Sequence, residues 1–440
     1  MLKAPRAREF ARGELIPSSP IISNGAKMHK YWVRFYFEFD ILKLMIKKTA
    51  TNASPAEMLR EEMLTAALAS RASDIHIDPL DNSILIRFRV DGDLTTWAER
   101  DAAEYDNLIS HLKIMSAVDI TRHGIPQEGH FVWASDTNDE RGQGRILDIR
   151  SSFFPTIYGD AIVMRILNRS DTLIHLKNLG FSKSDFDSIK TLITKPFGMV
   201  LITGPVGSGK TTTVYSILNE LASSNRNIIT LEDPVEYFLP MVRQSKISPE
   251  HDYTFALGIR SVLRQDPDVI VVGEIRDFET AENAIRASLT GRLLLATLHA
   301  NTAIGTITRL IDMKINHDLV AYSLTGVINQ RLVRKICPDC REEYRPPQEI
   351  LKSLGLSTAD RIYHGRGCKS CKQSGFSGRV GIFGILTIDD EIKRMIINGA
   401  SEPDINKIAV EKGYKSVRED GLTKIKNGIT TPEEVIKASS

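Results

Sequence analysis

The 440-residue chain is 42% apolar and 25% charged, with 57 Lys and Arg against 55 Asp and Glu. These values are those of a globular protein, and they exclude wholesale disorder, fibrous repeats and a scaffold that depends on disulfides. The length corresponds to about three ordinary domains, and the near-neutral balance gives no support to a dedicated nucleic-acid binder.

The charge is unevenly spread. Residues 1–48 hold ten Lys/Arg and four Asp/Glu, a surplus of +6, which leaves −4 on the remainder. A basic arm of this kind favours anionic surfaces. Pro, Ser and Arg punctuate residues 1–30, which predicts poor order, so 1–53 read as a reduced basic arm. Within it Phe35, Phe37, Phe39 and Ile41 alternate with Arg34, Tyr36, Glu38 and Asp40, the period of a strand. No run reaches the roughly 20 apolar residues of a spanning helix and no signal peptide is evident, so a cytoplasmic protein is expected.

Order begins at Ser54. Ser54-Pro55 with Glu57 predicts a helix start, and Met58, Leu59, Met63, Leu64, Ala67 and Leu68 form its apolar stripe. Residues 74–78 and 84–90 alternate as strands, the second ending in the tight-turn signal Asp91-Gly92. Two further strands are expected within 145–168. Residues 54–168 therefore read as a small α+β domain and 169–180 as a linker. From Phe181 apolar strands alternate with helical patterns, which predicts a parallel α/β sheet over 181–336. Its strands are 199–203, 228–232, 269–272 and 293–298, near-continuous apolar runs such as sheets covered on both faces carry. Residues 337–371 hold the cysteines, and 372–440 read as helical.

Gly204-Pro205-Val206-Gly207-Ser208-Gly209-Lys210-Thr211 fits the phosphate-loop pattern G-x-x-x-x-G-K-[ST]. Its glycines let backbone N–H groups curl around phosphate oxygens, and the helix that follows presents its positive end to the same anion. Lys210 is expected on the β- and γ-phosphates and Thr211 on Mg²⁺, with Thr212 counted in the nucleotide site. An apolar strand precedes the loop and an amphipathic helix follows it, the order the chemistry requires. Asp268-Val-Ile-Val-Val-Gly-Glu274 is an apolar strand that delivers a carboxylate at its C-terminal end, where open α/β sheets bind ligands. Glu274 is thus a candidate to orient or deprotonate the attacking water, and Asp268 either a metal ligand or a strand-start residue. Glu232, Asp233 and Glu236 follow another buried strand. Three acids near a triphosphate repel it unless Mg²⁺ intervenes, which gives Glu232 and Asp233 a metal or water role and leaves Glu236 as a solvated loop acid. His299 ends the strand 293–298 and is placed to sense the γ-phosphate.

All four cysteines lie in Cys337-Pro338-Asp339-Cys340 and Cys368-Lys369-Ser370-Cys371. Two C-x-x-C pairs close a tetrahedral shell of thiolates, the pattern of a structural Zn²⁺ site.

Together these segments resemble the ATPases that drive type II secretion and type IV pilus assembly. Four motifs stand in that family's order. They are the phosphate loop; the aspartate box Ile229-Thr230-Leu231-Glu232-Asp233-Pro234-Val235-Glu236-Tyr237; Leu263-Arg264-Gln265-Asp266-Pro267-Asp268 running on to Gly273-Glu274-Ile275-Arg276-Asp277; and Thr290-Gly291 through Thr297-Leu298-His299-Ala300-Asn301-Thr302. The resemblance covers about residues 54–440. It implies a RecA-like P-loop NTPase domain preceded by a small α+β PAS-like domain, with a zinc-binding insertion and a helical C-terminal tail.

It also implies a homo-hexameric, Mg²⁺-dependent ATPase that couples hydrolysis to pilin or pseudopilin assembly. Such a motor acts on an inner-membrane platform protein and other assembly proteins from the cytoplasmic side, without direct nucleic acid. By the same resemblance Arg150 and Arg165 match arginines that reach the phosphates from the preceding domain. Arg260 and Arg264, four apart on one helix face, match arginines at the site or a subunit interface. Arg276 is left as structural. Val206 stands where the loop often has Thr, and Leu257 where the family often has Arg. The larger N-terminal domain common in the family is expected to be missing or reduced. Assembly and secretion motors carry the tetracysteine element, and retraction motors generally lack it. A non-catalytic nucleotide-binding ring scaffold and a competence-pilus motor are the alternative readings.

Overall fold

A computed structural model describes residues 54–138, 144–168, 175–223, 225–236, 238–357 and 359–439. The basic arm, the strand expected near residues 33–41 and half of the linker lie outside these residues.

The first unit opens with α1 (Pro55–Ala69). The Ser54 hydroxyl accepts from the Glu57 N–H, and the Glu57 carboxylate accepts from the Ser54 N–H at 2.8 Å, a reciprocal cap that fixes the start of the helix. There follow β1 (Ala72–Pro79), β2 (Ser83–Val90), β3 (Asp93–Asp101), α2 (Tyr105–Met115), β4 (Gln127–Asn138), β5 (Gly144–Thr156) and β6 (Gly159–Asn168). The strands form a six-stranded antiparallel sheet in the order β3-β2-β1-β6-β5-β4. Met63, Leu64, Leu108 and Leu112 of the two helices bury one sheet face, on Ile75, Ile77, Ile149 and Met164. Alternation sends the intervening residues to the opposite face. Asp74, Arg165 and Arg150 are successive register partners on β1, β6 and β5, so they stand in a row there.

The second unit continues with α3 (Lys183–Ile193), β7 (Gly198–Thr203), α4 (Lys210–Leu221), β8 (Ile228–Glu232), β9 (Val242–Lys246), α5 (Phe255–Val262), β10 (Val269–Val272), α6 (Phe278–Leu289) and β11 (Leu293–Leu298). Then come α7 (Gly305–Asp312), α8 (His317–Ser323) and β12 (Leu324–Ile336); the small hairpin β13 (Arg341–Tyr344) and β14 (Ile362–Gly365) with α9 (Gln348–Leu354) between; and β15 (Phe376–Thr387). The chain closes with α10 (Asp390–Ile397), α11 (Glu402–Glu411), α12 (Val417–Lys426) and α13 (Pro432–Ser439). The main sheet runs β15-β12-β7-β11-β10-β8-β9, parallel except for β15. Separate apolar cores cover its two faces, which is why β7, β8, β10 and β11 are buried at every position.

The segment 372–440 is not wholly helical, as the sequence suggested. Residues 376–387 return to the sheet as β15 and pair antiparallel with β12, from Gly326–Thr387 to Ile336–Phe376. Gly378, Gly381 and Gly384 break up its apolar pattern and hide the strand. The cysteine-bearing segment is therefore an excursion at the end of a long hairpin. No helix among the described residues is long and apolar enough to cross a membrane.

Candidate active site and metal centre

β7 delivers the chain into the phosphate loop. Gly204, Gly207 and Gly209 take φ values of 149°, 77° and 87°, which side-chain-bearing residues rarely adopt. At Gly204 a Cβ would also lie 2.5 Å from the Gln330 carbonyl oxygen and 2.6 Å from Ser208 Oγ. Gly209 starts α4 in the left-handed conformation and no side chain caps that helix, so the first-turn N–H groups are left for an anion. Ser208 Oγ is buried without a partner among the described residues. Lys210 Nζ donates to the carbonyls of Gly204 and Pro205, each at 2.9 Å, instead of to a carboxylate. Burial brings the Lys210 pKa down to about 8. An uncapped helix end, an orphan hydroxyl and a lysine resting on backbone oxygens fit a bound phosphate chain.

The order of the strands explains what faces this loop. β7, β11, β10 and β8 are adjacent and parallel, so residues just beyond their C-terminal ends lie side by side. A cleft of about 300 Å³ results, lined among others by Lys210, Thr211, Glu232, Glu236, Glu274 and His299. Val206 and Gly207 line it too, while Pro205 and Thr212 do not. Glu274 is partly buried and ion-paired to Arg276. Burial first, and then the Lys210 charge, lower the His299 pKa, which favours the neutral imidazole.

Glu232 is only 6% exposed and both its oxygens are taken. One accepts from the Tyr215 hydroxyl, the other from Thr230 Oγ1 at 2.5 Å and Gln244 Nε2 at 3.1 Å. Such a carboxylate is an anchor of the cleft wall more than a proton acceptor.

Two expectations change, for Glu236 and Arg276, and the alternatives left open for Asp268, Arg260 and Arg264 narrow. Glu236 is not a solvated acid: it lines the cleft, half-buried, and burial raises its pKa against the pull of Arg150. Arg276 is not mere structure, because it lines the cleft and holds Glu274. Asp268 lies at the opposite, N-terminal end of β10, where its carboxylate accepts from the Asn227 N–H at 2.7 Å, which makes it a strand-start residue. Arg260 pairs with Glu279 at 2.7 Å, and Arg264 lies past the end of α5 and donates to the Arg260 carbonyl. Neither lines the cleft within this chain.

The two arginines of the first unit are already engaged. Arg165 donates to buried Asp74 at 3.0 Å. Arg150 donates to both oxygens of Glu236, at 3.2 and 3.5 Å, and so bridges the two units at the cleft.

At the far end of β12 the sulfurs of Cys337, Cys340, Cys368 and Cys371 all lie within 4.8 Å of one another. Cys337–Cys368 and Cys340–Cys371 are each 3.8 Å apart, too far for disulfides. The N–H groups of Cys368 and Gly375 point to Cys371 Sγ at 3.2 and 3.3 Å. Four sulfurs in one cluster with N–H support fit a tetrahedral Zn²⁺.

A family model for the type II/IV secretion system protein matches residues 49–437. The chain belongs to this family. It is 40% identical over 434 residues to the type IV pilus assembly ATPase PilB of Thermus thermophilus, covering 95% of this chain and 48% of that protein. It is 43% identical over 386 residues to the type II secretion system protein E of Dickeya dadantii, covering 88% and 76%. The chain thus spans about half the length of the first relative and three quarters of the second. Among solved structures, the pilus retraction motor PilT with bound ADP superposes with a TM-score of 0.58 at 26% identity, over 86% of this chain and 96% of that one. The Legionella pneumophila ATPase DotB gives a TM-score of 0.63 at 23% identity, covering 88% and 96%, and shows the shared fold.

In this secretion-family chain the sequence missed one group that reaches the loop. Gln330, on β12, donates from Nε2 to the Ser208 carbonyl at 2.6 Å. Asn329 beside it joins Thr203 and the Ala300 carbonyl. A polar Asn-Gln-Arg triplet directly after the buried apolar run Gly326–Ile328 was the available signal.

Proposed function

We propose that the chain is a Mg²⁺-dependent ATPase motor that powers the addition of pilin or pseudopilin subunits in a type IV pilus or type II secretion machine. It works as a homo-hexamer at the cytoplasmic face of the inner membrane, against a platform protein and its associated assembly proteins. The observation that carries this reading is the convergence of Lys210, Glu274 and His299 on one cleft beside the uncapped N-terminus of α4.

Lys210 would leave the loop carbonyls for the β- and γ-phosphates, and Thr211 would hold Mg²⁺ that arrives with the nucleotide. That ion supplies charge neutralisation between phosphates and acids. Glu274, held by Arg276, orients or deprotonates water, and Glu232 fixes the wall against which this happens. Neutral His299 can donate to the γ-phosphate. Arg150 and Arg165 would stabilise charge from the first unit once freed, with Arg260 and Arg264 available to a neighbouring subunit. We read residues 54–168 as the PAS-like domain, 181–336 as the body of the RecA-like domain, and 337–371 as a structural zinc element. The names of the aligned relatives, pilus assembly and secretion, support the choice of machine.

Glu274→Gln tests the assignment. The variant is expected to bind ATP like the parent and to lose at least 100-fold in phosphate release, within the range of general-base contributions. Near-normal turnover would reject the role of Glu274. Absence of turnover in the parent chain would favour the scaffold reading.

A further inference from the structure

The cleft contains a carboxylate that a phosphate-binding site does not need. Glu236 lines it together with Lys210 and Thr211, yet a fixed negative charge there repels an incoming triphosphate. The protein neutralises this charge with a guanidinium from the other unit, since Arg150 binds both Glu236 oxygens. The pair is half-buried, with side-chain exposures of 33% and 26%. Its loop is tied to the nucleotide helix, because the Glu236 N–H donates to the Tyr215 hydroxyl of α4 at 3.1 Å. That same hydroxyl donates to Glu232. One tyrosine one turn into the phosphate-loop helix therefore holds both the wall acid and the backbone of Glu236. On the sheet of the first unit, Arg150 has Arg165 as its direct cross-strand partner, and Arg165 is balanced by Asp74 on the next strand. Glu236 thus gives Arg150 an acid to set against this cationic neighbour.

We propose that Glu236 is a positioning residue that parks Arg150, and that a triphosphate in the cleft takes the guanidinium from it by exchange. This deepens the ATPase reading and rests on it. A γ-phosphate carries more charge than one carboxylate and accepts the same planar fork of donors. The exchange therefore converts a contact between the two units that is made without nucleotide into one made through nucleotide. It also means that part of the chain's affinity for triphosphate is spent on breaking the parked pair. The apparent dissociation constant is raised by the reciprocal of the unparked fraction.

The test is a double-variant cycle in the full-length chain with Mg²⁺ and a fluorescent ATPγS, and with the matching ADP probe. Glu236→Gln keeps shape and loop bonds but removes the charge. It is expected to tighten ATPγS binding by about 3- to 10-fold, the factor for an unparked fraction of roughly 10–30%, with a smaller effect on ADP. Arg150→Ala is expected to weaken ATPγS binding, and Glu236→Gln in that background to tighten it less than in the parent, because only the repulsion of the bare carboxylate is then relieved. A loss of packing alone would weaken binding, so the sign separates the two causes. Hydrogen exchange gives a readout without nucleotide: residues 147–152 of Glu236→Gln should exchange as fast as in the Arg150→Ala variant. Unchanged or weaker ATPγS binding by Glu236→Gln, or effects that add in the double variant, would overturn the parking role while leaving the ATPase reading intact. A parent chain that binds no nucleotide would overturn both.

Discussion

Lys210 rests its ammonium on two carbonyl oxygens and is partly stripped of water, which leaves its pKa at about 8. Phosphate binds the charged form, so nucleotide should draw a proton onto this side chain above that pH. Affinity is then fullest below pH 8 and falls as pH rises, by up to about tenfold per unit for one linked proton, until the pKa of the bound form is reached. Calorimetry at pH 8.5 in two buffers of different ionisation heat would read the uptake, and a dissociation constant flat from pH 7 to 9.5 would contradict it. Tyr215 makes a second prediction at this scale. Its hydroxyl serves Glu232, Glu236 and Gln244 from a buried position. Tyr215→Phe leaves the apolar packing and should cost about 1–3 kcal/mol through unpaired buried groups, seen as a lower urea midpoint.

Among the elements, α4 depends on Gly209 more than on any cap. Gly209→Ala would force a side chain into a left-handed conformation and toward Gln330 Nε2 at 3.1 Å. A stability loss of about 1–2 kcal/mol is expected, together with weaker nucleotide binding. The tetracysteine excursion gives a metal prediction: the parent should carry one Zn²⁺ per chain by elemental analysis, and Cys340→Ser should lose most of it. These features were legible because each combines a local rule with a short spacing: glycines and lysine in a loop, two C-x-x-C pairs, apolar runs bounded by turns. What escaped reading depends on pairing between distant segments. β12 and β15 carry polar residues or glycines where a buried strand normally carries aliphatics, and it is pairing, with each other and of β12 with β7, that makes them strands. Glu236 looked solvated because its partner, Arg150, is 86 residues away. Arg276 looked structural because nothing local says which way it turns.

At the scale of the whole molecule, the two units meet in more than one place. Arg150 reaches Glu236 beside the cleft, while the β2–β3 turn meets the base of the hairpin: Asp93 pairs with Arg334, and Asp91 accepts from the Gly378 N–H at 3.3 Å. Lys372, next to Cys371, donates to Ser70 Oγ at 2.8 Å. Asp93→Asn combined with Lys372→Ala should loosen this second seam. Hydrogen exchange over residues 90–94 should rise, with little change at the phosphate loop. If the chain forms the proposed ring, light scattering with nucleotide should give six times 49.2 kDa. The hairpin that carries the cysteines has one more implication. Its strands pair in one register from Gly326–Thr387 to Arg334–Arg379, with a single irregularity before Ile336–Phe376, so a short turn could join them and leave the main sheet whole. Yet Leu351, Leu354 and Ile362 of the excursion cover Ile425 and Val435 of the last two helices. A natural or engineered descendant that discards the metal knuckle would therefore have to make that newly bared patch polar in the same step, or aggregate.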